Sequence, residues 1–166
     1  MGDFPLLTSH FPLHPVVSRV LIIGPSNIGD AILAGDVVAA VRERYPDAHV
    51  TLVVGERAQT LFAGDPRIQT LVNADAFSSP VGRVRLAWSL WRYQPQVVVD
   101  LRHTLYPLLL APLTFWRFLR QPPKALQHMR ERHLWKLRVQ TGTAASSNGV
   151  LWLSPKDTAH VEQLLK

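Results

Sequence analysis

Apolar β-branched runs that alternate with helix-patterned stretches constrain the fold of this chain more than any other feature. RVLIIG (Arg19 to Gly24), HVTLVVG (His49 to Gly55), RIQTLVN (Arg67 to Asn73), QVVVDL (Gln96 to Leu101) and GVLWLS (Gly149 to Ser154) each read as a strand. Being apolar on both faces, they belong in a sheet covered on both sides. Between the first two, Leu33, Val37, Val41 and Tyr45 recur at helical spacing and Pro46 closes the segment. This pattern predicts an amphipathic helix with Arg42, Glu43 and Arg44 facing outward and with Gly35 and Asp36 as weak helix formers inside it. Further helices are expected over Val81 to Tyr93, Leu105 to Leu119 around its prolines, Leu126 to Thr141 and Pro155 to Lys166. Strand followed by helix, repeated, gives right-handed crossovers and a doubly wound parallel α/β sheet.

At 166 residues and 47% hydrophobic content the chain can bury one sizeable core. It has no cysteine, so neither disulfides nor thiolate chemistry is available. Residues 1–18 carry Pro5, Pro12 and Pro15 and lack the basic start and unbroken apolar run of a signal peptide, so they are expected to form an extended arm. The longest apolar stretch, Leu105 to Leu119, is too short to span a bilayer and contains Pro107 and Pro112. A cytoplasmic location fits these features. His128 and His133 are five apart on an expected helix, and His10 and His14 lie among prolines. Neither pair suits a metal, and no metal site is expected.

The net charge is +6, and the excess is uneven. Between residues 117 and 138 the chain carries Arg117, Arg120, Lys124, Arg130, Arg132, Lys136 and Arg138 against Glu131 alone. Such a run suits the phosphates of an anionic membrane surface, an anionic glycolipid or a nucleic acid, and equally a solvated basic face with no partner. Nucleic acid ranks last, because no recognisable binding module accompanies the charge. Trp88, Trp91, Trp116 and Trp135 stand at helical positions and are expected to pack in the core or an interface. Trp116, beside Phe115 and Phe118, also fits the surface of a membrane.

The loop after the first strand, GPSNIGD, lies where open parallel sheets collect ligands, at the carboxyl ends of the strands. Gly24, Pro25, Ser26, Asn27 and Gly29 are small or turn-forming and allow close backbone approach. The stretch matches neither a dinucleotide-binding glycine pattern nor a P-loop. Asp30 has two readings: a cap for the following helix, or a carboxylate that takes a proton from a bound hydroxyl. Asp100 ends the fourth strand, Arg102 and His103 follow it, and all three belong to the same edge, with Asp100 read as orienting a loop and Arg102 and His103 as acceptor contacts.

The segment RVLIIGPSNIGDAILAGDVVAAVRERYPDAHVTLVV, with DPRIQTLVNAD (Asp65 to Asp75) and QVVVDLR (Gln96 to Arg102) after it, resembles the amino-terminal half of the family 9 glycosyltransferases. These are the bacterial heptosyltransferases that build the lipopolysaccharide inner core from ADP-heptose. The resemblance implies a GT-B enzyme whose Rossmann-like amino-terminal domain holds the acceptor and whose carboxyl-terminal domain binds most of the nucleotide sugar. It implies an inverting, metal-independent transfer with no cofactor, in which the aspartate of the Ser-x-Ile-Gly-Asp motif is the general base. That role falls on Asp30, with Ser26, Asn27 and Gly29 forming the acceptor loop. The sequence departs from the family where Gly24 replaces a frequent basic residue, Asn27 a serine and Asp36 a proline.

The expected organisation is an arm over 1–18, a Rossmann-like acceptor domain over 19–154, and a helix over 155–166 leading toward a nucleotide-sugar domain. By itself the chain is then expected to be inactive until a carboxyl-terminal half completes it, at the inner face of the cytoplasmic membrane where a lipid-linked acceptor resides. The alternative is a non-catalytic module that binds an anionic glycolipid, a membrane or a protein through residues 117–138.

Overall fold

Valine, leucine and isoleucine place four parallel strands at the centre of the computed structural model, which describes residues 17–142 and 152–165. They are β1 (Arg19–Ile23), β2 (His49–Val54), β3 (Thr70–Asn73) and β4 (Val97–Asp100), in the order β3-β2-β1-β4. Val20 stands opposite Val50 on one side and Val97 on the other, which fixes the register across the centre. The helices are α1 (Ile28–Arg44), α2 (Glu56–Phe62), α3 (Pro80–Tyr93), α4 (Tyr106–Leu110), α5 (Met129–Thr141) and α6 (Pro155–Leu164), with 3-10 turns at Asp75–Phe77 and Pro112–Arg117.

Side chains alternate across the pleat, so each strand feeds two cores. Val20, Ile22, Val50, Leu52, Val54 and Val99 pack under α1, α2 and α5, whose Val37, Val38, Phe62 and Leu137 are buried. Leu21, Ile23, Val53 and Val98 pack on the opposite face against Leu86 and Leu90 of α3 and against Phe118. The sheet is thus covered on both sides, as the double-faced runs require. It is an α/β fold of Rossmann-like topology with the reversal of strand order between β1 and β4.

Asp36 lies buried on α1 and forms an ion pair with Arg130 of α5, so the weak helix former of the sequence pattern is the tie between two packed helices. Arg42 does not simply face outward. Its guanidinium donates to the carbonyls of Pro46 (2.6 Å), Ala48 (3.0 Å) and Arg67 (2.6 Å), closing the end of the sheet opposite the ligand edge.

Several boundaries differ from expectation for local reasons. The third strand begins at Thr70, because Arg67 turns back to pair with Asp65 at 2.7 Å. Leu105 to Leu119 is broken into α4 and a 3-10 turn, where Pro112 follows Ala111. The fifth helix starts at Met129 rather than Leu126. Residues 152–154 are not in a strand, and the remainder of the expected fifth strand, with the arm over 1–16, lies outside the described residues. Helix α2 and the 3-10 turn at Asp75–Phe77 carry no clear periodicity and were not anticipated.

Candidate active site

β1 ends at Ile23, and the N–H of the next residue, Gly24, donates to the carbonyl of Val53 at 2.8 Å. A Cβ on Gly24 would sit 2.8 Å from Val54 Cγ1, so a side chain there would require the neighbouring strand's valine to shift. The chain then turns through Pro25 and Ser26 to Asn27, which precedes α1 in an extended conformation (φ −79, ψ 137) without a capping side-chain bond. Asp30 is therefore not the residue that caps α1. It lies in the first helical turn, where the helix dipole favours a carboxylate. Ser26 Oγ is buried and has no hydrogen-bond partner among the described residues. The glycine at position 55 leaves room for it, because a Cβ there would fall 2.8 Å from that oxygen.

A second loop follows β4. The carboxylate of Asp100 accepts from the N–H of Arg102 (2.8 Å) and from the N–H and hydroxyl of Thr104 (2.6 and 2.9 Å). These bonds occupy Asp100 and hold the intervening His103 at φ 56, in the left-handed region that favours glycine. Asp100 thus shapes the loop that presents Arg102 and His103.

The loops meet α5 around an open cleft of about 430 Å³. Ser26, Asn27, Asp30, Arg102 and His103 all line it; Gly29 does not, and a Cβ at Gly29 would touch nothing within 4 Å. The sequence reading missed the third wall, formed by Met129, Arg132, His133 and Lys136 of α5. Their three- and four-residue intervals are the signal that one helix face carries them. Lys136 Nζ donates to the carbonyl of Leu101 at 2.6 Å, and Gln140 bonds both the N–H and the carbonyl of Asp100 at 2.9 Å, so α5 clamps the end of β4. The basic segment 117–138 is accordingly not one solvated face: Arg130, Arg132 and Lys136 turn toward the domain.

Burial pushes His133 down to about 4, with the Lys136 ammonium acting in the same direction and the Asp30 carboxylate opposing it. The imidazole is neutral at pH 7. Burial also lowers Lys136, which the Asp100 carboxylate partly restores. Because His133 binds its proton more weakly folded than unfolded, its contribution to stability is complete above pH 6.5 and is lost as pH falls toward 4. Urea midpoints measured across that window should fall for the parent chain and fall less steeply for His133→Gln; equal slopes would count against a buried neutral histidine.

Arg102 also borders a second cleft of about 460 Å³, which Arg83 and Tyr106 line on the α3 side of the sheet. Burial raises the Tyr106 phenol while the nearby Arg83 and Arg102 guanidinium groups lower it. Among the described residues no three His, Asp or Glu side chains are grouped to hold a metal ion.

Parallel strands with a cleft at the carboxyl ends of β1 and β4, where strand order reverses, define a Rossmann-like domain. Its particular likeness is to the amino-terminal domains of GT-B heptosyltransferases. A family 9 glycosyl transferase from Veillonella parvula superposes with a TM-score of 0.68 at 17% identity, over 91% of this chain and 50% of that one. ADP-heptose lps heptosyltransferase II of E. coli gives 0.62 at 18% identity, over 89% and 50%. The E. coli heptosyltransferase WaaC, solved with ADP, gives 0.54 at 16% identity, over 79% and 50%. The chain therefore spans about half the length of the solved structures it matches. No family model matches the sequence, and no curated protein matches it.

Proposed function

We propose that this chain is the acceptor-holding domain of an inverting glycosyltransferase of heptosyltransferase type, in which Asp30 is the general base. Asp30 takes the proton of an acceptor sugar hydroxyl, the oxygen forms its bond to the anomeric carbon of the donor, and the bond to the nucleoside diphosphate breaks with inversion. The observation that carries this reading is the placement of Asp30 at the ligand edge, beside the neutral His133 and facing Arg102 and Arg132 across one cleft. The two guanidinium groups suit an acceptor bearing carboxylate or phosphate.

The heptosyltransferase WaaC that this fold resembles was solved with ADP. We assign the corresponding donor, a nucleotide sugar such as ADP-heptose, to a carboxyl-terminal half joined to or separate from this one, and the acceptor to the lipopolysaccharide class. Calorimetric titration of the 166-residue chain tests the division. A phosphorylated sugar acid should bind and should lose about tenfold in affinity with Arg102→Gln, the worth of one charge-assisted hydrogen bond. Tight binding of ADP by this chain would instead place the donor site here and overturn the assignment.

A further inference from the structure

Helix α3 is turned inside out for a helix on a water-exposed surface. Leu86 and Leu90 bury its inner side. On the outer side Val81, Val84, Trp88 and Trp91 follow at three- and four-residue intervals and are 63%, 69%, 58% and 46% exposed, where a polar face is the rule. Of the two places expected for Trp88 and Trp91, the core or an interface, their exposure removes the core. Their rings lie against each other, 5.0 Å between centroids. Arg85 and Arg92, one turn either side of Trp88, edge the stripe.

The neighbouring elements on the same face of the sheet continue the pattern. Leu105, Leu108, Leu109 and Leu113 are exposed around α4 and the 3-10 turn. Trp116, 51% exposed, lies under the guanidinium groups of Arg120 (4.9 Å) and Arg117 (5.5 Å). Charge here has one sign. From residue 76 to residue 130 the only acid is Asp100, which is buried and occupied by its own loop. No described helix is long and apolar enough to cross a membrane.

Exposed tryptophan and aliphatic side chains interleaved with arginine, without a carboxylate among them, match the chemistry of a bilayer whose headgroups carry negative charge. We propose that the outer face of α3, α4 and the adjoining 3-10 turn is a docking surface for an anionic phospholipid membrane. Trp88, Trp91 and Trp116 lie at the boundary of headgroups and acyl chains, and Arg85, Arg92, Arg117 and Arg120 meet lipid phosphates. The surface stands independently of the chemistry assigned to Asp30.

Co-sedimentation of the full chain with phosphatidylcholine vesicles, with and without phosphatidylglycerol, tests this directly. Binding should require phosphatidylglycerol, weaken as salt is raised, and fall about tenfold or more in both Trp88→Ser/Trp91→Ser and Arg85→Glu/Arg92→Glu. Far-UV circular dichroism checks that these surface variants remain folded, and Glu43→Gln on α1 serves as a control that should bind as the parent does. Three results would each overturn the proposal: no vesicle binding at low salt, binding that both double variants retain, or a self-associating chain that Trp88→Ser/Trp91→Ser renders monomeric. The last would assign the face to a second copy of the chain.

Discussion

Asp30→Asn should lower sugar transfer by about 10²- to 10⁴-fold, the usual contribution of a positioned general base, in an assay that supplies donor half and acceptor together. The side chain keeps its size and its place in the first turn of α1, so acceptor binding should change little. Stability should fall only by the loss of one charge from the helix dipole, about 0.3–1 kcal/mol. The two readings of Asp30 separate on this pair of measurements. A base gives lost turnover with a nearly unchanged urea midpoint; a cap gives a lowered midpoint with turnover retained. Geometry already weakens the cap reading, since Asn27 occupies the position before the helix.

Arg130→Leu should be the most destabilising single change outside the aliphatic core, at about 3 kcal/mol, because it takes the guanidinium partner from the carboxylate of Asp36 deep between α1 and α5. The effect should be lopsided. The Asp36 side chain is 7% exposed and the Arg130 side chain 43%, so Asp36→Ala leaves behind a cation that can turn to water, at about 1 kcal/mol. Asp36→Ala combined with Arg130→Leu should then cost less than Arg130→Leu alone. Urea denaturation of the two single variants and the double variant gives the coupling directly. Additive effects would mean that the pair contributes nothing beyond the packing of its two side chains.

Much of the fold was legible because it rests on short-range pattern. Doubly apolar runs marked all four strands, and the repeat of Leu33, Val37 and Val41 marked α1. Helix α2 escaped notice because seven residues give too few turns for periodicity to show. The cleft was half legible. Ser26, Asn27, Asp30, Arg102 and His103 were placed by the rule that ligands collect at strand ends, and they do share one cleft. Arg132, His133 and Lys136 arrive from a helix far along the chain, and only the packing of α5 on β4 brings them there. Asp36 was opaque for the same reason: its partner is 94 residues away. The sequence left Trp88 and Trp91 between core and interface because periodic aromatics reveal a helix face without revealing which way that face points.

The side-chain amide of Gln140 has a consequence for behaviour at high concentration. By taking up both the N–H and the carbonyl of Asp100, it withdraws from the outer edge of β4 one residue through which a strand of another molecule would pair. The opposite edge, β3, is four residues long and offers little template. A parallel sheet that is aliphatic on both faces would otherwise be a seed for fibrillar growth. Here a single glutamine, presented by a helix that also builds the cleft, blunts the carboxyl end of that edge.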